Sequence, residues 1–315
     1  MLITVVIPCY RSEKTIETVV EEIKNEFAVH PEHSFNMVLV NDGSPDDTFG
    51  AIKRICAANP NVTGVDLSKN FGQASAKMAS LPYITGDVAV FMDDDGQHPA
   101  SGIFKLVDKI NEGYDVVYAK FPQKKHSLFK RLTSRLHHAV SVWAGNAPAG
   151  IAGSSFLAYS GFVIKALKDY RSPFVSIGGY LNKITSKFAN VDIDHRSRLA
   201  GESGYTLKKL VNLWMNTVTN FSIAPLRLSS AFGLVCSVLG FLLGLFVVIR
   251  KLINPAISAG YTSTIAVLLF IGGIIMLMLG LLGEYIGRIY MTVSCSPQYA
   301  VRQVLNDSSK DESER

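Results

Sequence analysis

The sequence predicts an α/β domain built on a mostly parallel sheet, followed by two helices long and apolar enough to cross a membrane. Three observations carry this. From Leu2 to Tyr118, apolar runs of strand length alternate with segments of helical period, and that alternation gives parallel strands joined by right-handed crossovers. Polar turns close four of the runs in series, at Tyr10, Asp42, Asn70 and Asp93. Residues 228–249 and 261–283 are stretches of 22 and 23 residues without a charge, and at about 1.5 Å per residue each can cross a hydrocarbon core of roughly 30 Å.

The elements follow in order. Residues 2–8 (L-I-T-V-V-I-P) read as a buried strand, with Pro8-Cys9-Tyr10 turning out of it. Ile16, Val19, Val20, Ile23 and Phe27 recur at helical spacing. A second strand, 35–40, ends in the dense turn Asn41-Asp42-Gly43-Ser44-Pro45-Asp46-Asp47 and leads to a helix over 48–58. The third strand, 62–67, runs into Ser68-Lys69-Asn70-Phe71-Gly72 and a helix over 74–81. The fourth, 88–92, precedes a helix over 103–111 and a fifth strand at 116–118.

Parallel strands share a direction, so their closing turns share one rim, and open sheets bind ligands outside that rim. The fourth run ends in three acids, Asp93, Asp94 and Asp95. Adjacent like charges need a compensating cation, and hard oxygen ligands at that spacing suit Mg²⁺ or Mn²⁺ carrying a phosphorylated substrate. The plainer alternative is a solvated acidic turn capping the next helix. No G-x-x-x-x-G-K-[ST] and no G-x-G-x-x-G follows the first strand, so P-loop and ordinary dinucleotide readings lose their support. A pyrophosphate held without a glycine loop needs other neutralisation, which metal at Asp93 and Asp95 supplies.

Further on, residues 124–143 are basic and partly amphipathic, either a solvated helix face or an interfacial helix near anionic lipid. Residues 147–161 read as a Gly, Ala and Ser-rich loop entering a short element. Ser154 and Ser155 there lack the G-x-S-x-G context of a nucleophile. Arg196 and Arg198 alternate in an extended-looking segment beside a glycine turn; they suit phosphate oxygens, or else a surface salt-bridge strand with Asp192, Asp194 and Glu202. Residues 207–224 form an amphipathic segment leading into the first span. Gly240-x-x-x-Gly244 and Gly283-x-x-x-Gly287 permit close helix approach, between the spans or between copies.

The chain has 315 residues, a formal charge of +5 and 48% hydrophobic residues. The modest charge does not indicate nucleic acid. Four scattered cysteines without a C-x-x-C pair suit a reducing compartment. Residues 1–8 have no basic leader and enter a strand directly, so the polar domain is expected in the cytoplasm; two crossings return the tail to the same side.

With Pro8-Cys9-Tyr10, Asn41-Asp42-Gly43-Ser44, Lys69-Asn70-Phe71-Gly72-Gln73, Asp93-Asp94-Asp95-Gly96-Gln97-His98-Pro99 and Arg198-Leu-Ala-Gly-Glu-Ser-Gly-Tyr205 in place, the chain resembles the polyisoprenyl-phosphate glycosyltransferases of glycosyltransferase family 2, the dolichol-phosphate mannose synthase-like group. The likeness extends over nearly the whole chain. It includes Pro225-Leu-Arg-Leu and Leu282-Gly-Glu-Tyr-Ile-Gly-Arg-Ile-Tyr290, the latter similar to bacterial undecaprenyl-phosphate sugar transferases. The resemblance implies a GT-A, Rossmann-like fold, a UDP-sugar donor, a divalent cation, inverting transfer to undecaprenyl phosphate, and a homo-oligomer in the bacterial inner membrane.

It further implies metal at Asp93 and Asp95; nucleotide-sugar contacts from Pro8, Tyr10, Asp42, Ser44, Lys69 and Asp94; acceptor phosphate contacts from Arg196, Arg198, Ser203 and Tyr205; and catalytic work by Asp95, Gln97 and Arg198. Asp94 is expected to face nucleotide or solvent. Three positions depart from the family pattern: Arg11-Ser12-Glu13 stands where P-x-Y-N-E is common, Asp94 adds a charge inside the D-x-D, and Ser155-Phe156-Leu157-Ala158 lacks the acid and arginine of Asp-Phe-Arg-Leu relatives. The expected layout is a catalytic domain over 1–205, an interfacial segment over 206–227, a two-helix membrane region over 228–283 and a cytoplasmic tail over 284–315. The alternatives are a processive polysaccharide synthase, which needs a longer channel than two spans provide, and a non-catalytic membrane adaptor that binds nucleotide.

Overall fold

A computed structural model describes residues 1–121, 142, 148–194, 224–253 and 260–307. The chain divides into two compact units, Met1–Trp214 with Pro297–Arg315, and Met215–Ser296.

The first unit is an α/β domain. Its leading elements are β1 (Leu2–Cys9), α1 (Ile16–Val29), β2 (Ser34–Asn41), α2 (Thr48–Ala58), β3 (Val62–Leu67), α3 (Gln73–Ser80), β4 (Val88–Phe91), α4 (Gly102–Asn111) and β5 (Val116–Lys120). These reproduce the expected series, with ends moved by one or two residues. α1 buries Ile16, Val19, Val20, Ile23 and Phe27, the stripe that its periodicity marks. Each such side chain contributes about 1.5–3 kcal/mol when withdrawn from water. β6 (Leu157–Ser160), α5 (Gly161–Lys168), α6 (Ile177–Ile184) and β7 (Phe188–Asp192) follow, of which the sequence had indicated only a short element after the glycine-rich loop.

Among the described residues the sheet has eight strands in the order β7-β5-β6-β4-β1-β2-β3-β8, where β8 is Val301–Leu305. β1 pairs in parallel with both β2 and β4, and β2 pairs in parallel with β3. β6 runs antiparallel between β4 and β5, and β8 runs antiparallel along β3. The central strands are buried on both faces, which explains their continuous apolar runs.

The second unit holds α7 (Ala224–Ile253) and α8 (Tyr261–Val293), which cover the two uncharged stretches. Within the described residues, the stretch long and apolar enough to cross a membrane is Phe270–Val293, with mean hydropathy 1.8. Large apolar side chains point outward from both helices, Phe241 being 71% and Met276 73% exposed.

The expected tail over 284–315 needs correction. α8 runs on past Gly283 to Val293, with Glu284 and Arg288 paired one turn apart at 2.6 Å, and Val301–Leu305 returns to the sheet as β8. A charge ends an uncharged run without ending a helix, because an i,i+4 ion pair is compatible with helical geometry.

Candidate functional site

The site forms where the strand order reverses. β2 lies on one side of β1 and β4 on the other, and the crevice outside the carboxyl ends at such a switch point is where open α/β sheets take ligands. A cavity of about 300 Å³ opens there. β1 contributes Pro8 and Cys9 to its wall, Tyr10 follows β1, and Asp42 follows β2. Asn70, Gly72 and Gln73 come from the connection to α3, and Asp93, Asp94 and Asp95 follow β4. All four closing turns read from the sequence therefore meet in one place.

Local geometry explains how these turns come together. Gly43 has φ +58, and a Cβ on it would lie 2.3 Å from the Lys69 carbonyl carbon. Only glycine lets the turn after β2 approach the turn after β3 so closely. Asp42 then ties the two together: the Phe71 N–H donates to its Oδ1 at 2.7 Å and the Gly72 N–H to its Oδ2 at 2.9 Å. Burial pushes the Asp42 carboxyl above its usual range, against these two bonds.

The three acids of the fourth turn point in different directions. Asp93 is directed towards α3 and the segment before β6, accepting from Gln73 Nε2 at 2.7 Å and from Ser155 Oγ at 2.6 Å. Its own N–H donates to His98 Nδ1 at 3.0 Å, which leaves the imidazole proton on Nε2, 3.8 Å from Asp93 Oδ2. The buried His98 ring stacks on Phe156 with 4.9 Å between centroids and so closes the turn from beneath. Asp95 Oδ1 accepts the Gln97 N–H at 3.1 Å, while Gly96 takes φ +72. Asp95 is thus aimed by its own turn.

Asp94, expected to face nucleotide or solvent, also braces the turn after β1. It contributes to the cavity wall, but its Oδ2 accepts the Tyr10 N–H at 3.0 Å and the Ser12 hydroxyl. Burial raises its pKa, the bonds from Ser12 and Tyr10 oppose this, and the charge of Asp93 adds to it. Its visible work is to hold the turn after β1, where Arg11 has a left-handed φ of 59. Cys9 beneath it is fully buried, and burial, with the Asp94 charge, pushes its thiol well up; it is no nucleophile.

Electrostatics limit what the cavity can hold. Four carboxylates line it and, among the described residues, no lysine or arginine does. Bringing a diphosphate against such a wall is unfavourable unless positive charge compensates it. The described residues contain no cluster of three or more His, Cys, Asp or Glu side chains suited to hold a metal alone. One or two carboxylates completed by substrate phosphates is the way Mg²⁺ is commonly bound, and Asp93 with Asp95 fits that donor set; the same oxygen donors suit Mn²⁺.

Of the other expected residues, Ser44 Oγ accepts the Arg11 N–H at 3.2 Å, and Lys69 lies over the Phe71 ring at 5.1 Å. Ser44, Lys69 and Gln97 stand beside the cavity wall rather than in it. Arg196, Arg198, Ser203 and Tyr205 lie outside the described residues, as do most of 124–143 and 207–223.

Sequence reasoning missed Gln73, Ser155 and His98 as partners of Asp93, and Lys77. The buried Lys77 Nζ donates to the Ser155 carbonyl at 3.4 Å and sits over the Phe91 ring. Burial pulls its pKa down to about 8, and the charge of Asp93 opposes this. For Gln73 and His98 the signal was their place inside the motifs, and for Ser155 its place at the acid position of the Asp-Phe-Arg-Leu segment; for Lys77 none was present.

Comparison with known proteins places the chain. Residues 4–167 match Glycosyl transferase family 2, and residues 224–289 match the GtrB C-terminal hairpin. The chain is 32% identical to the undecaprenyl-phosphate 4-deoxy-4-formamido-L-arabinose transferase of Photorhabdus laumondii, over 99% of this chain and 97% of that one. It is 33% identical to the uncharacterized glycosyltransferase YkcC of Bacillus subtilis, over 95% and 93%. Among solved structures, glucosyl-3-phosphoglycerate synthase from Mycobacterium tuberculosis in complex with phosphoglyceric acid is similar over 70% of this chain and 79% of that chain, with 19% identity and a TM-score of 0.49.

Proposed function

The chain belongs to glycosyltransferase family 2, and we propose that it transfers a single sugar from a UDP-sugar to undecaprenyl phosphate at the cytoplasmic face of the inner membrane. The observation that carries this reading is the cavity at the β1/β4 switch point, walled by four carboxylates and the turns of four strands. Relatives alike over nearly their whole length act on undecaprenyl phosphate by name.

Each wall takes a role. Tyr10, 45% exposed at the end of β1, offers its ring to the uracil, with Pro8 and Asp42 alongside. Asp93 and Asp95 hold a divalent cation, Mg²⁺ or Mn²⁺; when bound, it offsets the charge of the diphosphate and of the UDP that departs. Gln73 and Ser155 fix Asp93, and the Gln97 N–H fixes Asp95, so neither carboxylate has to reorganise when the donor arrives.

The acceptor phosphate is already ionised near neutral pH and needs no strong base. One of its oxygens attacks the anomeric carbon, the bond from that carbon to UDP breaks, and the configuration inverts. Arg198, with Arg196, Ser203 and Tyr205, is assigned to the acceptor phosphate from sequence. α7 and α8 cross the membrane, supported by their uncharged stretches, their outward apolar side chains and the match to the hairpin family.

The test is calorimetric titration of the purified chain with UDP. Binding in the presence of Mn²⁺ that weakens about tenfold or more when EDTA removes the cation is the expected result. UDP affinity indifferent to EDTA removes the cation from the site.

A further inference from the structure

We infer that β8 is a positioning element of the nucleotide cavity, through which the chain leaving α8 holds the loop over 68–73; this rests on the reading of that cavity as a UDP site. Residues 294–300 connect Val293 to Val301. β8 then runs antiparallel along β3, covering what is otherwise an exposed sheet edge. Edge cover alone explains the pairing of Val304 and Leu305 with Val65 and Gly64. It does not explain the contacts at the other end.

There, where β3 gives way to the cavity loop, both sides of one residue are held. The Ser68 N–H donates to the Ala300 carbonyl at 2.9 Å, and Arg302 Nη2 donates to the Ser68 carbonyl at 3.0 Å. The pairing shifts register between Asp66 and Leu67, and such irregularities re-aim a strand end. Opposite the shift, Asp66 Oδ1 accepts from Asn41 Nδ2 at 2.7 Å, next to Asp42. The loop is thus held at three places: by β8 at Ser68, by Asp42 at Asn70, Phe71 and Gly72, and by Asp93 at Gln73. Two of them are cavity carboxylates. The third comes from the chain that follows α8 in sequence.

The strand is itself clamped. Asn306 closes it with φ 49, and its Nδ2 is within 2.8 Å of the Cys56 carbonyl and 3.0 Å of the Val62 carbonyl. Thr63 Oγ1 donates to the Asn306 carbonyl at 2.8 Å. Before the strand, Gln298 Nε2 reaches the Tyr170 and Ser172 carbonyls at 2.9 and 2.8 Å. Arg302 and Asn306 are positioning residues: they act on the donor through the loop and lie outside the cavity wall.

The test uses the full chain with UDP and Mn²⁺ as probe, carrying Arg302→Met together with Asn306→Gly. Glycine tolerates the left-handed backbone while removing the amide. UDP dissociation constants about five- to tenfold higher are expected, with faster amide exchange at 68–73 and unchanged exchange in β1. Arg302→Lys with native Asn306 keeps a donor for the Ser68 carbonyl and is expected to stay within about twofold of the parent. A chain ending at Ala300 is the second variant. Equal UDP affinity in the parent and in either the Arg302→Met, Asn306→Gly chain or the chain ending at Ala300 overturns the inference and leaves the cavity reading standing. A parent that binds no UDP overturns both.

Discussion

Asp95→Asn lowers sugar transfer about a thousandfold, a loss of about 4 kcal/mol of transition-state stabilisation, and leaves the fold intact. Asp95 Oδ1 accepts the Gln97 N–H within its own turn. An asparagine carbonyl makes the same bond, so the turn with Gly96 at φ +72 survives. What is lost is the negative charge. In the proposed site Asp93 and Asp95 share the cation, and the other two carboxylates of the cavity wall do not replace Asp95 beside Asp93. Asp94 is engaged by Tyr10 and Ser12, and Asp42 by Phe71 and Gly72. Stability in detergent should stay within about 0.5 kcal/mol of the parent, measured by denaturation beside the transfer assay. A variant that keeps full, cation-dependent transfer refutes the assignment.

Asp42→Asn acts differently, damaging stability and donor binding together. Asp42 receives two backbone N–H groups, one on each oxygen. An asparagine has one oxygen and one NH₂ in that place, so the Phe71 or the Gly72 N–H meets a donor. A buried donor left unsatisfied costs about 1–3 kcal/mol, and about 2 kcal/mol is expected in denaturant titration of this variant. The same change loosens the middle attachment of the 68–73 loop, so UDP affinity falls about tenfold. Unaltered UDP affinity with lowered stability would make Asp42 a strut of the fold alone.

The two variants also mark what could be read in the sequence. Strand ends were legible because a polar turn interrupts an apolar run at each, and parallel topology then puts Tyr10, Asp42, Asn70 and Asp93 on one rim. The orientation of side chains within a turn was not. Three consecutive aspartates look alike in sequence, but Asp94 turns towards β1 and Asp93 towards α3, because their partners lie 82 to 84 and 20 residues away.

Lys77 was hidden for another reason. Residues 75–80 of α3 are buried in succession, so the helix has no polar face against which a lysine stands out. β8 was hidden by its place: V-R-Q-V-L follows a membrane-type helix, is mostly exposed, and reads as tail until β3 supplies a partner. The acceptor cluster around Arg198 lies outside the described residues, and its role rests on sequence.

The most direct measurement is product analysis. Purified chain is incubated with undecaprenyl phosphate, Mn²⁺ and a panel of UDP-sugars, and the extracted lipid is weighed by mass spectrometry. One sugar per carrier, formed from at least one donor and absent with EDTA, is the expected result. A polymer on the carrier, or no lipid-linked sugar from any donor in a preparation that binds UDP, contradicts it.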